Sequence, residues 1–578
     1  MPAASFIRGS LEDQAAAQPL HAAGTPLRQI AAALGWSYGR ASEAVRAIRG
    51  LPSDNELRQA RRGKTAPEVV PEAPKAEPAA EGKRKPIRIS KVATRSVDVP
   101  RGVVSRLILT AAQDDTPVHE GFWRNLTAYA AHLDAQLAVG GFTYQLGLFE
   151  DHAVATGVYA AELQPYLEFG RVQLGPDLLI VGDANILPTT ANPLAGWHTV
   201  NGGGHVVIPH ARRALETIPR MPGRPPRYVQ STGCCTLPSY TPRASGRRAL
   251  FHHTYGALLI EIDVDGEVFI RELAAEDDGS FQDLTARVDS GVVTYGHAVA
   301  ALVCGDDHQA AMDPNIALAT WGIDVRTNRQ VTSDCLIDLL RPAHQVRHDV
   351  LDFRRRNHHD RGSVHSRARM LAAGTTNVEE EVHAAAAFLV ATSRPWCQTH
   401  QVESNHDDAL TRWLRDLKAA EDEENAYYHA ELNAAWLRAI RRRDDTFNPI
   451  RHAMGAVGGY DNVVDFVGYG RGLRIAGVEC GLHGDIGISG SRGSPNQFRR
   501  LGDKVVSAHT HSPKIVEGVY VAGVSASLSQ GYNDRGPGAW ANGHVVIYPS
   551  GKRALLCMHP DGRAWAEARG QEGVSLAA

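Results

Sequence analysis

The chain has 578 residues, too many for one ordinary core, so two or three domains are expected. Hydrophobic residues make up 43% and charged residues 22%, the balance of a soluble globular protein, and a net charge of -3 leaves any nucleic-acid contact to local basic patches. Seven cysteines without paired CxxC spacing argue against a disulfide scaffold or a structural zinc site and suit a reducing cytoplasm; no apolar run has the length of a membrane helix, and no signal-peptide core opens the chain.

Residues 1–50 are Ala-rich with helical periodicity. Thr25-Pro26 is expected to start a helix through Leu27, Ile30, Ala31 and Leu34, which Gly35 breaks. A second helix places Ala41, Val45 and Ile48 on one face and carries Arg40, Arg46 and Arg49. Two helices around a tight turn form a helix-turn-helix-like unit, with DNA contact through these arginines and plain helical packing both open. Residues 51–99 are a Pro, Ala and charge-rich linker, too poor in apolar surface to offset its ordering entropy, and are expected to be a disordered tether.

From residue 100 the pattern turns α/β. Strands are expected at Leu107-Ile108-Leu109, Leu137–Val139 and Leu178–Val181, a helix near 118–134, and a hairpin over 257–271 around Asp265-Gly266. Gln113-Asp114-Asp115 and Gly182-Asp183-Ala184-Asn185 end two of these strands. They are read as turn formers in preference to a degenerate phosphate site. This α/β accessory domain is expected to span 100–290.

In residues 291–565 short apolar strands each lead into a polar loop, with helical inserts near 377–392, 407–419 and 424–443. Five motifs follow in order: Gly305-Asp306-Asp307-His308, His348-Asp349-Val350-Leu351-Asp352, Ser404-Asn405-His406-Asp407, Gly481-Leu482-His483-Gly484-Asp485 and Ala508-His509-Thr510-His511. Carboxylates, imidazoles and one amide at strand ends offer hard oxygen and borderline nitrogen donors, which suit Mn²⁺, Fe or Zn²⁺. The D-x-H and H-x-H spacings put two donors on one side of an extended loop.

This ordered set resembles the calcineurin-like metallophosphoesterases, including the SbcD-type DNA nucleases. The resemblance implies a layered β-sandwich core flanked by helices and a site for two divalent metals, Mn²⁺ first, with Mg²⁺, Fe²⁺ and Zn²⁺ as alternatives. It implies that Asp306, His308 and His511 hold one metal, that Asn405, His483 and His509 hold the other, and that Asp349 bridges them. Asp352 competes for Asp349's role, and His358-His359-Asp360 competes for the metal. By the same resemblance His406 stands beside the scissile phosphate, oriented by Asp407. Glycines of the family pattern are replaced by His348, Ser404 and Ala508, which loosens loop geometry without removing a donor.

The run Arg354-Arg355-Arg356 is open between a solvated charge cluster and a grip on a nucleic-acid backbone. Region 100–290, with Ala111, Gln113-Asp114, Phe142-Thr143-Tyr144 and the Gly182–Ile186 loop, also resembles the pre-early DNA-transfer and host-takeover proteins of tailed siphophages. Together the resemblances imply a phage DNase in the host cytoplasm, with DNA, host proteins and a second copy of the chain as partners, and no membrane. A nucleotide or small-molecule phosphodiesterase or phosphatase, or a non-catalytic takeover scaffold, is the alternative.

Overall fold

A computed structural model describes residues 11–23, 25, 27–36, 41, 44, 45, 48, 87–89, 94–143, 155–357, 363–531 and 533–566. Arg40, Arg46 and Arg49, residues 51–86 and 90–93 of the expected linker, and His358-His359-Asp360 lie outside the described residues. The end of that linker is not a tether, since Ile87–Ile89 and Arg95–Val97 pair as strands with Ala155–Gly157 and Arg171–Leu174. The chain divides into two compact units, Met1–Gly82 and Lys83–Ala578.

In the first unit the helix expected after Thr25 spans Leu27–Ala33, and Gly35 follows it with a positive φ of 65° that glycine adopts without steric cost. A further helix, Leu11–Ala22, was not anticipated; Pro19 inside it obscures its helical signal. Ala17, Ile30, Ala31, Ala41, Ala44 and Val45 share one buried cluster, so the apolar faces read from the sequence do meet.

The second unit is mixed α/β. Strand Ser105–Gln113 runs parallel to Gln136–Phe142, with helix Glu120–His132 as the crossover. It also pairs antiparallel with Gly256–Ile262, which forms the expected hairpin with Val268–Ala274. Every residue of Gly256–Ile262 is buried, which explains its nearly unbroken apolar run.

An eleven-stranded sheet draws on both expected regions: strand Ala214–Ile218 pairs antiparallel with Lys514–Val516. The Leu555 amide also donates to Glu272 Oε2 at 2.7 Å. Regions 100–290 and 291–565 are therefore joined through a common sheet.

A six-stranded sheet carries most of the polar loops. Its order is Val464–Val467, Gln398–Val402, His344–Arg347, Ala301–Val303, Gly543–Ile547 and Arg553–Cys557; the first four are parallel and the last two antiparallel to their neighbours. Ala301, Val303, Val545 and Ile547 face a core shared with Val506, Ile515 and Tyr520 of the eleven-stranded sheet. Leu302 and Val546, alternating with them, face Ile316, Trp321 and Leu336 of the covering helices. Helix Val378–Thr392 covers the same sheet; Asn377 accepts the Glu380 amide at its start, and Glu379, Glu380 and Glu381 complement its dipole. The inserts near 407–419 and 424–443 are the helices Asp408–Arg415 and Ala426–Arg442. Parallel strands buried on both faces leave one place for polar chemistry, the loops beyond their carboxyl ends.

Candidate metal centre

Three neighbouring parallel strands deliver candidate residues to the same edge. Ala301–Val303 leads to Asp306 and His308, His344–Arg347 to Asp349, and Gln398–Val402 to Asn405 and His406. Lys504–Ser507, from the other sheet, leads to His509 and His511. Gly305 sits so close to the adjacent strands that a Cβ would lie 2.7 Å from the Gly543 carbonyl oxygen, which is what lets the first loop press inward. His308, Asp349, His509 and His511 all have positive φ, at 42°, 45°, 71° and 55°. Each costs about 1 kcal/mol or more for a residue with a Cβ, and such strain concentrates where loops are held for function.

The side chains converge. His511 Nε2 lies 3.0 Å from Asp306 Oδ2 and 3.0 Å from His308 Nε2. Asp349 Oδ2 is 3.5 Å from His308 Nε2 and 3.9 Å from His511 Nε2. These four residues offer donor atoms that all lie within 4.8 Å of one another. A second group closes around His483 Nε2, with Asn405 Oδ1 at 3.1 Å, His509 Nδ1 at 3.3 Å and Asp349 Oδ2 at 3.4 Å. Asp349 thus touches both groups. Asp352, its sequence competitor, stands outside, with Oδ1 3.1 Å from His308 Nδ1.

Charge and burial fit cations here. Asp306 and Asp349 are fully buried, yet Asp306 Oδ1, both Asp349 oxygens and His483 Nδ1 have no hydrogen-bond partner. A buried carboxylate oxygen without a partner is costly, and a bound cation is the ordinary remedy. Burial opposes charge on Asp349, but the imidazoles of His483, His406, His511 and His308 hold its carboxyl well below the usual range. Burial likewise opposes charge on His511, yet Asp306 and Asp349 push it up to about 9. Carboxylates, imidazoles and an amide form the oxygen and nitrogen donor set of a divalent transition metal.

Around this cluster the expected orientation of His406 needs correction. Asp407 does not face it: its Oδ1 accepts the Leu351 amide at 3.0 Å and its Oδ2 accepts from Gln401 at 3.4 Å, and burial pushes its carboxyl up to about 8. His406 Nδ1 instead faces Asp352, 3.3 Å from Oδ1 and 3.2 Å from the backbone carbonyl. Burial works against its charge, but Asp349 and Asp352 push it up to about 10. Asp352 therefore orients two imidazoles, His308 and His406, and Arg354 pairs with its other oxygen.

The arginine run also divides. Arg355 Nη1 pairs with Glu380 at 2.8 Å, and Arg356 donates through Nη2 to Asp422 at 3.0 Å, so both are engaged with acids of the helical inserts. Only Arg354 stays beside the cluster, donating also to Gln530 Oε1 at 2.8 Å.

Sequence reasoning missed two supports, Arg347 and Trp540, and gave a third residue, His348, no role. Buried Arg347 donates to Asp307 at 2.9 Å and lies over Trp321, 4.1 Å from the ring centre, fixing the loop between Asp306 and His308. The Trp540 ring meets His511 edge-on with centroids 4.2 Å apart. His348 is buried beside His483, and burial lowers it to about 4. Neither Arg347, in a strand whose one apolar residue is Val346, nor Trp540 had a legible local signal, whereas His348 had stood out in its motif without a role.

Comparison with known proteins then relates the chain to a phage product, protein A1 of Escherichia phage T5. The two are 38% identical over 462 residues, 78% of this chain and 81% of that protein. The chain belongs to the protein A1 family. That alignment covers most of the chain, which bears out the phage relation expected from the sequence. No family profile matches the chain, and no solved structure does. Among the described residues no helix is long and apolar enough to cross a membrane.

Proposed function

We propose that this member of the protein A1 family is a metal-dependent phosphodiesterase of the calcineurin-like class whose substrate is DNA, acting in host DNA degradation, takeover or phage DNA transfer. The observation that carries the reading is the meeting of two donor groups at Asp349, whose two oxygens are buried and have no hydrogen-bond partner. Asp306, His308, Asp349 and His511 would hold one divalent cation, and Asp349, Asn405, His483 and His509 the other. Bound there, the pair would neutralise phosphate oxygens and lower the pKa of water.

The chain's own groups complete the chemistry. His308 and His406 both turn Nδ1 toward Asp352, which leaves each Nε2 facing away from that carboxylate. A proton held on His406 Nε2 serves the departing oxygen of a phosphodiester. Arg354, paired with Asp352, adds positive charge at the rim.

Incubating linear and circular duplex DNA with the protein and each divalent metal tests the reading. Metal-dependent cleavage is the expected result. Turnover of bis(p-nitrophenyl) phosphate with intact DNA would move the function to small phosphodiesters, and Mn²⁺ binding with neither activity would leave a scaffold.

A further inference from the structure

Beside the cluster lies a groove of about 620 Å³. Its walls include Gln309, Met312, Val325, Arg354, Arg369 and Met370. Gln309 directly follows His308, and Arg354, which lines the groove, pairs with Asp352, so the groove lies next to the centre. Its outer wall is the helix Val364–Ala373, which buries none of its residues and leaves Val364 and Leu371 largely exposed. The helix thus presents Arg369, Met370 and Ala373 to the groove without a packed core behind them.

We propose that this groove seats the nucleoside and adjoining phosphate next to the hydrolysed bond, and so makes a polynucleotide the preferred substrate. The inference rests on the phosphodiesterase reading above and adds the recognition element. The groove combines the two chemistries a nucleotide needs. The Arg369 guanidinium matches phosphate oxygens in charge and geometry, and Arg354, paired with Asp352, adds positive charge to a lining whose one acid among the described residues is Glu381. Thioethers of Met312 and Met370, with Val325, offer a polarizable apolar surface to the face of a base, and such surfaces adapt to any base. Its volume falls in the range of sites that enclose a ligand of nucleotide size. Arg354 both lines the groove and pairs with Asp352, which sets a phosphate held there beside the centre.

Two substitutions away from the cluster test this in the full chain. Arg369→Glu reverses the charge at the rim, and Ala373→Trp fills the groove from an exposed helix position. Affinity is read by anisotropy of a fluorescein-labelled single-stranded oligonucleotide in EDTA, and activity with Mn²⁺ on DNA and on bis(p-nitrophenyl) phosphate. Each variant should weaken oligonucleotide binding by about tenfold, the loss of one charged hydrogen bond or its equivalent in contact area. KM for DNA should rise in parallel while turnover of the small diester stays unchanged. Wild-type affinity in both variants overturns the groove assignment. Loss of small-diester turnover together with DNA cleavage also overturns it, because the groove would then only support the centre. Oligonucleotide binding that responds to both variants, in a protein that hydrolyses neither substrate, upholds the groove and defeats the phosphodiesterase reading alone.

Discussion

At the ends of strands Ser105–Gln113 and Leu178–Val181, Gln113, Asp183 and Asn185 are each engaged with protein. Gln113 binds the Ser239 backbone at both ends of its amide, Asp183 pairs with Arg171 at 3.0 Å, and Asn185 accepts the Thr143 amide at 3.0 Å. At the ends of Ala301–Val303 and His344–Arg347, residues of the same chemical types stand differently. Asp306 and Asp349 are more deeply buried than Asp183 and still keep oxygens without hydrogen-bond partners. Strand-end Asp and Asn are common in both regions, so residue type does not separate them. What separates them is hydrogen bonding: the first set closes turns, and the second keeps buried carboxylate oxygens without a hydrogen-bond partner among imidazoles, a grouping that could hold a cation.

The sharpest way to break this contrast is Asp349→Ala. Removing the carboxylate that touches both donor groups should abolish the rise in melting temperature that Mn²⁺ produces, because metal binding stabilises only a competent site. Hydrolysis should fall by about a thousandfold or more, the consequence of losing several kcal/mol of charge stabilisation. A variant that still binds Mn²⁺ with wild-type affinity would put the centre elsewhere.

His406→Ala should be nearly as damaging to turnover, about 10²–10⁴-fold, while the melting shift with Mn²⁺ survives. Asp352→Asn should cost about 10- to 100-fold through misorientation of His308 and His406. Asp407→Asn should leave His406 in place and retain turnover, since Asp407 binds the Leu351 amide and Gln401 instead. If Asp407→Asn rather than Asp352→Asn impaired turnover, the orientation seen here would be wrong.

That pairing shows how far the sequence could be read. Asp306, His308, Asp349, Asn405, His483, His509 and His511 were legible because each lies in a short motif and the motifs keep their order, two of them beyond the apolar-rich strands Ala301–Val303 and Lys504–Ser507. The helices Val378–Thr392 and Ala426–Arg442 were legible from periodicity. The partner of His406 was not, because adjacency in sequence favoured Asp407, whereas the chain turns at His406 and points the next side chain into the core. Nor was the joining of Ala214–Ile218 to Lys514–Val516, residues some 300 positions apart whose pairing no local pattern announces. Long-range contacts also explain Trp540 against His511 and Arg355 against Glu380.

Acid and alkali should act on the metal-free centre in a defined direction. His511 and His406 have folded pKa values raised to about 9 and about 10, against about 6.5 for free histidine. Their protonated forms stabilise the fold fully below about pH 6.5, and that contribution is lost as pH rises through 9 and 10. In EDTA, stability should therefore decline from neutral pH toward pH 10. With Mn²⁺ the dependence should reverse, since the imidazoles must shed protons to bind a cation, so the metal-induced melting shift should be larger at pH 8 than at pH 6. Parallel melting curves with EDTA and with Mn²⁺ across this range check both signs; a shift that shrank on going from pH 6 to pH 8 would count against imidazole ligands.

The smallest effects belong to the satisfied loops, and they test the other half of the contrast. Asn185→Ala removes the acceptor of the Thr143 amide and should cost about 1 kcal/mol of stability. Asp183→Ala removes an ion pair whose partners are 24% and 39% exposed, so solvent screening should hold the cost below about 1 kcal/mol. Neither change reaches the donor groups, so Mn²⁺ affinity and turnover should match the unaltered protein once both are folded. The decisive measurement is metal affinity in the Asp183→Ala, Asn185→Ala double variant. If these loops only close turns, affinity stays constant while denaturation moves to slightly lower urea. A loss of Mn²⁺ or of DNA hydrolysis without a loss of stability would mean that the strand ends near 113 and 183 form part of a second functional surface, and that satisfied hydrogen bonds alone do not mark a residue as structural.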